Sequence, residues 1–262
     1  MSVPNISTIG VFDSGMGGLT VLKSLRQYMP DVNLIYLGDT ARLPYGTKSP
    51  TTVINYALQA VEILLEYKID IIVVACNTAS SVAINCLEQR CKNVSIFGVI
   101  LPGAIEVVCN RWFIKPIGVL ATEATVRQGA YADAIHTMEP SAKVVSAPAQ
   151  LLVALAEEGW HDGEIVEKIL SKYIDSLIYQ DIETLVLGCT HFPVFTKTIR
   201  QLYPSLNIVN SADTTASRIA NTYRGIGSGK TTFLVTDSLE RFKRVGAYFW
   251  HNSMNDIKLV DL

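Results

Sequence analysis

Short apolar runs alternate along this chain with longer stretches in which apolar residues return every three or four positions. The short runs, bounded by glycine, proline or small polar residues, predict strands over 8–12, 33–38, 69–75, 95–99, 117–120, 143–146, 184–188, 207–210 and 232–236. The longer stretches predict helices over 19–28, 49–67, 79–90, 124–135, 164–179, 194–203, 213–223 and 239–250. Runs such as Ile71 to Ala75 are apolar on both faces, as expected of strands covered on each side by helices. The alternation therefore predicts an α/β protein with mainly parallel sheets flanked by helices.

The pattern is also doubled. Ile9-Gly10-Val11-Phe12-Asp13-Ser14 is echoed by Ile117-Gly118-Val119-Leu120-Ala121-Thr122, and Val73-Val74-Ala75-Cys76-Asn77-Thr78 by Val186-Leu187-Gly188-Cys189-Thr190-His191. Isoleucine, glycine and valine are common in buried strands, so the first echo alone carries little. With the cysteines it implies two half-molecules of similar build. A length of 262 residues, 49% of them hydrophobic, is enough for two cores. No low-complexity linker divides them, and the breaks near Ile100 to Pro102 and near Asn210 read as places where the chain crosses between domains.

Composition narrows the function classes. A net charge of −2 gives no electrostatic footprint for nucleic acid. No apolar run approaches the roughly 18 to 20 residues needed to span a bilayer, and Met1 to Thr8 lacks a signal-like start, so a cytoplasmic protein without a membrane partner is expected. Five cysteines at 76, 86, 91, 109 and 189, an odd number, fit reduced thiols rather than a disulfide framework. None has zinc-ligand spacing and the four histidines are scattered, so no metal is expected. Gly225-Ile226-Gly227-Ser228-Gly229-Lys230-Thr231 approaches a P-loop, but Arg224 stands where the first glycine is required and a β-branched run follows, so it reads as a surface turn. Gly15-Met16-Gly17-Gly18 does not have dinucleotide spacing.

Cys76 and Cys189 each follow a buried strand and precede hydroxyl or amide residues and a helix start. There the helix dipole favours a thiolate, bringing a thiol into the range useful for proton transfer. Ligands of open α/β sheets bind beyond the carboxyl ends of the strands. That makes Asp13, Ser14, Pro44-Tyr45-Gly46, Cys76-Asn77-Thr78, Thr122, Thr125 and Cys189-Thr190-His191 the candidate site. Its hydroxyls, amides and backbone donors suit a small anionic substrate.

These segments, Val11-Phe12-Asp13-Ser14-Gly15-Met16-Gly17-Gly18-Leu19-Thr20, Pro44-Tyr45-Gly46, Cys76-Asn77-Thr78-Ala79 and Leu187-Gly188-Cys189-Thr190-His191-Phe192-Pro193, resemble in order the signatures of the glutamate racemases, in the cofactor-independent aspartate/glutamate racemase superfamily. The resemblance implies a first domain of 1–99 completed by 210–262, a second of 100–209, and an active site in the cleft between them. It implies interconversion of L-glutamate and D-glutamate without a cofactor, supplying D-glutamate for peptidoglycan. Inversion at an α-carbon needs a base on one face and an acid on the other, which explains two thiols. By the resemblance, Cys76 serves the D-enantiomer and Cys189 the L-enantiomer; Asp13 and His191 are their auxiliary groups, with Glu157, next to Glu158, the acidic partner of the histidine. Ser14, Tyr45, Gly46, Asn77, Thr78, Thr122, Thr125 and Thr190 resemble substrate contacts. The chain departs from common family usage at Ala121, where glycine is frequent, and at Asn210, where aspartate is.

Two other functions compete. An aspartate racemase of the same superfamily is disfavoured by Thr190-His191, since that branch resembles Cys-Thr-Glu there. A two-domain solute-binding protein would leave the thiols idle. Several site residues also have plain structural roles open to them: Asp13, Thr78, Thr122 and Thr190 as helix caps, His191 as a structural histidine, and Cys86, Cys91 and Cys109 as small buried apolar groups. Tyr248-Phe249-Trp250 either lines a homodimer interface or packs the last helix.

Overall fold

The computed structural model describes residues 3–262. Its strands are β1 (Asn5–Ile6), β2 (Thr8–Asp13), β3 (Asn33–Gly38), β4 (Ile71–Val74), β5 (Ser95–Gly98), β6 (Ile117–Ala121), β7 (Val144–Pro148), β8 (Thr184–Gly188), β9 (Asn207–Asn210), β10 (Arg224–Gly225), β11 (Thr231–Val235) and β12 (Ile257–Leu259). Two parallel sheets carry the architecture, one of six strands in the order β12-β11-β3-β2-β4-β5 and one of four in the order β7-β6-β8-β9. A short parallel pair, β1 with β10, lies apart from them.

The doubled sequence pattern has a doubled topology. In chain order, the run β2 to β5 and the run β6 to β9 share one arrangement: the second strand lies beside the first, then the third and fourth follow on its other edge. β2 pairs with β4 in one sheet as β6 pairs with β8 in the other. Even the glycines correspond. A methyl group at Gly10 would meet Ile69 Cδ1 at 2.7 Å, and one at Gly118 would meet Ile182 Cδ1 at 2.6 Å, each isoleucine lying two residues before the third strand. Each half needs a residue without a side chain where its third strand enters. Cys76 and Cys189 follow the third strands.

Local chemistry explains where the elements depart from the periodicity. The single helix expected over 124–135 is two, Glu123–Gln128 and Ala130–Met138, because Gly129 adopts φ +67° between them. The helix expected over 79–90 is likewise divided into Asn77–Ser80 and Ile84–Arg90. The break near Ile100 to Pro102 is a helix, Ile100–Cys109. Proline is tolerated there because the first turn has no intrahelical partner for its missing N–H. Helix Gln150–Glu157 was hidden in an apolar run too short to show a period.

A continuous core joins the sheets through Phe192, Phe195, Phe242 and Phe249. Phe249 and Trp250 are buried within their own chain, Trp250 edge-on to Phe233 at 5.9 Å, so they pack the last helix. Tyr248 of that aromatic group stays exposed. Among the described residues no helix is long and apolar enough to cross a membrane. The Gly225 to Lys230 segment leads into strand β11, with Gly229 at φ +72°, and does not open a helix.

Candidate active site

Cys76 follows its strand at φ −59°, ψ 115° and caps the single turn Asn77–Ser80, where Ala79 N–H donates to its Sγ at 3.4 Å. Its thiol reaches Ser14 Oγ at 3.5 Å. These contacts favour a thiolate, but burial and then the charge of Asp13 outweigh them and push the Cys76 thiol up to about 12. The expected lowering by a helix start is therefore overturned at this cysteine: one turn of N–H groups does not offset removal from water beside a carboxylate. Cys76 rests as a thiol at neutral pH.

Cys189 has different surroundings. The element after it is the 3-10 turn Phe192–Phe195, and the only polar contact of its Sγ among the described residues is His191 Nδ1 at 3.8 Å. The imidazole is held at its other end, Nε2 lying 3.1 Å from Glu157 Oε1. Glu157 is kept ionised: burial would raise its pKa, but the bonds and charges of His191 and Arg241 hold it below the ordinary value. An ionised carboxylate only accepts, so Nε2 carries a proton and Nδ1 is turned to the sulfur. Burial alone would depress the histidine. Its bonds to Cys189 and Glu157, with their charges, prevail and push His191 up to about 10. The ring of Phe249 meets the imidazole edge-on at 5.4 Å.

Asp13 is fully buried, its Oδ2 accepting from Gly15 N–H at 3.0 Å and its Oδ1 from Thr190 Oγ1 at 3.4 Å. Burial raises its pKa against the lowering charge of His191. The helix from Leu19 has Gly18 as its N-cap, and the backbone N–H groups of Gly18 and Gly15 bond Asp13 and oppose the rise of its pKa. Thr20 fixes the backbone of the opposite half, donating to Thr190 O at 2.9 Å. Gly17 and Gly18 allow this closeness, since a Cβ at Gly17 would strike Thr190 and His191, and one at Gly18 would strike Asp13.

Ser14, Tyr45, Gly46, Asn77, Thr78, Thr122, Thr190 and His191 line one cavity with both thiols, with about 320 Å³ of empty space including its mouth. No lysine or arginine lines it. Thr78 bridges to Thr122 at 2.9 Å, and Thr122 to Thr125 at 2.9 Å while capping the helix that Glu123 begins. Thr125, Asp13 and Glu157 stand behind the lining. The Tyr45 hydroxyl donates to Asp39 Oδ2 at 2.5 Å, so its ring rather than its hydroxyl is free to face the cavity. At the two family departures, Ala121 is fully buried in its strand, and Asn210 caps the helix Ser211–Thr222 by accepting from Ala212 N–H.

Sequence reasoning missed Gln150 and Val153 in the lining, and Asp39, Arg241 and Phe249 behind it. Val153, Arg241 and Phe249 lie inside helices, whereas Asp39 directly follows β3 and Gln150 stands two residues after β7, a strand-end signal that no motif marked. Gln150 Oε1 and Asn77 Oδ1 are buried without a partner, the condition of groups awaiting a donor. Among the described residues no group of three or more metal-ligating side chains occurs.

The family model for Asp/Glu/hydantoin racemases matches residues 9–219. A glutamate racemase of Geobacter metallireducens is 40% identical over 262 residues, covering 97% of this chain and 96% of that protein. The crystal structure of glutamate racemase from Francisella tularensis in complex with D-glutamate superposes with TM-score 0.89 at 33% identity, covering 97% of each chain. Glutamate racemase isoform RacE1 of Bacillus anthracis superposes with TM-score 0.90 at 31% identity, covering 98% of each.

Proposed function

This chain belongs to the aspartate/glutamate/hydantoin racemase family, and on that footing we propose that it interconverts L-glutamate and D-glutamate by passing protons at the α-carbon between two thiols. The observation that carries the reading is that Cys76 and Cys189, following equivalent strands of the two sheets, line the same small cavity. The site lies in the cleft between a first domain of 1–99 with 210–262 and a second of 100–209.

In the L-to-D direction Cys189 acts as a thiolate, its charge compensated by protonated His191, and removes the α-proton; the Cys76 thiol delivers a proton to the opposite face. The pair then holds one proton on the Cys189 side and a thiolate at Cys76. Release of product and exchange with water restore the start. Two thiolates in one small cavity would repel, so the pair carries one transferable proton. In the D-to-L direction Cys76 is the base, with Asp13 as its auxiliary. With no lysine or arginine in the lining, the substrate carboxylates are held by hydroxyls, by Asn77 and by backbone N–H groups, which leaves the α-carbon free to lie between the sulfurs. Asn77 Oδ1 and Gln150 Oε1 suit the substrate ammonium, a donor that satisfies both orphan acceptors. The chemistry needs no cofactor, metal or second chain, and its product is the D-glutamate consumed in peptidoglycan synthesis in the cytoplasm. His191 after Thr190 favours glutamate over aspartate.

The test is circular dichroism of L-glutamate and of D-glutamate with purified protein and no added cofactor. Both signals decay to zero, and in deuterium oxide the inverted product carries deuterium at its α-carbon. A protein that binds glutamate and leaves its optical activity unchanged is a binding module, and this reading fails.

A further inference from the structure

Glu157 is a nearly buried carboxylate with both oxygens engaged. Oε1 meets His191 Nε2 at 3.1 Å and Oε2 accepts from Arg241 Nη2 at 2.8 Å. The two partners reach it from opposite parts of the fold. His191 and Glu157 belong to the half built on the four-stranded sheet, whereas Arg241 stands on the last helix, Leu239–Trp250, which packs on helix Leu19–Tyr28 beside the six-stranded sheet. Gly246 permits that packing, since a Cβ there would lie 3.0 Å from Leu19 Cδ1. Eight residues on from Arg241, a little over two turns, the same helix places Phe249 edge-on to the imidazole of His191 at 5.4 Å. One helix thus fixes the plane of the histidine with a ring and its acidic partner with a cation.

From this geometry we infer that Arg241 is a positioning residue of the proton relay, holding Glu157 so that His191 presents Nδ1 to Cys189. The inference rests on the two-thiol reading and extends it to a residue that never touches the cavity. The physical need is specific. A carboxylate with a single partner can rotate about its last bond, and the imidazolium it holds can then turn, losing the line from Nε2–H through Nδ1–H to sulfur. A guanidinium on the second oxygen removes that freedom by a directional, charge-assisted bond. Because Arg241 comes from the other half, the histidine is fully ordered only while the last helix is docked against helix Gln150–Glu157.

The test is a double-mutant cycle on the intact chain, with racemisation followed in both directions. Arg241→Gln is expected to lower kcat/KM by about tenfold to a hundredfold, the scale on which a group misplaced by about 1 Å loses rate. The two directions must fall equally, since the substrates are enantiomers. In a Glu157→Gln background the same substitution is expected to do nothing further, because the group through which it acts is gone. Arg241→Lys, keeping the charge and losing the fork, is expected to recover part of the rate. Equal fold losses in both backgrounds would make the effect a general structural one and overturn the inference. So would an Arg241→Gln protein with the parent's rate. The parent's own turnover decides the two-thiol reading separately, so a parent that racemises glutamate beside an unaffected Arg241→Gln sinks only the positioning role.

Discussion

Replacing Gly17 by alanine tests the site from behind, because the added methyl group points at the two residues that follow Cys189. It would stand 2.5 Å from Thr190 Oγ1 and 2.6 Å from His191 Cε1. Both are roughly 1 Å inside ordinary van der Waals contact. Neither neighbour can retreat without loss: Thr190 is tied to Asp13 at 3.4 Å, and His191 is fixed by Glu157 at 3.1 Å. Overpacking of this kind costs about 1 to 3 kcal/mol, which for a chain of this size lowers Tm by roughly 4 to 8 °C at 2 kcal/mol. The larger effect falls on rate. A displacement of about 1 Å between His191 and Cys189 is worth on the order of a hundredfold, close to 3 kcal/mol of barrier at about 1.4 kcal/mol per decade. The assay is initial-rate circular dichroism with each enantiomer, alongside thermal unfolding. Gly15→Ala is the control, since its methyl would meet Leu43 Cδ2 at 3.3 Å and nothing in the relay, and it should keep most of the parent rate. A folded Gly17→Ala protein within threefold of the parent in kcat/KM would refute the claim that the placement of His191 governs the reaction.

Cys76→Ala and Cys189→Ala should each abolish net racemisation with the fold retained, whereas Cys86→Ala, outside the cavity lining, should be nearly silent; circular dichroism against far-UV spectra separates the outcomes, and near-parent turnover by either of the first two would defeat the two-base assignment. Stability should depend on pH through His191: its pKa is raised from 6.5 to about 10 on folding, so the stabilisation is fully present below 6.5 and lost as pH rises through about 10. Urea unfolding between pH 6 and pH 10.5 should show this decline in the parent and a flatter profile in His191→Asn, and parallel profiles would show that the imidazolium is not held by its neighbours.

The sequence by itself determined most of the elements, the class and the points at which chemistry could occur. Those are local properties: a run of apolar residues buries as a strand, a stretch with helical period lays one face on the sheet, and the residue after a parallel strand stands where ligands bind. The doubling was legible for the same reason, and Gly10 and Gly118 mark the same tight crossing in each half. The division at Gly129 and the whole helix Ile100–Cys109 were not legible, because a left-handed residue and a proline in a first turn look alike as interruptions. What only the tertiary structure decided was which side chains meet and in what protonation state. Cys76 stood in a helix-start context that favours a thiolate, yet burial beside Asp13 pushes it up to about 12. Glu157 could not be told from Glu158 in sequence, but only Glu157 faces His191, with Arg241 arriving from 84 positions later. The physical reason is that periodicity is fixed by neighbours along the chain, whereas desolvation and ion pairing depend on whatever the folded core brings against a group, and a linear pattern does not encode that distance.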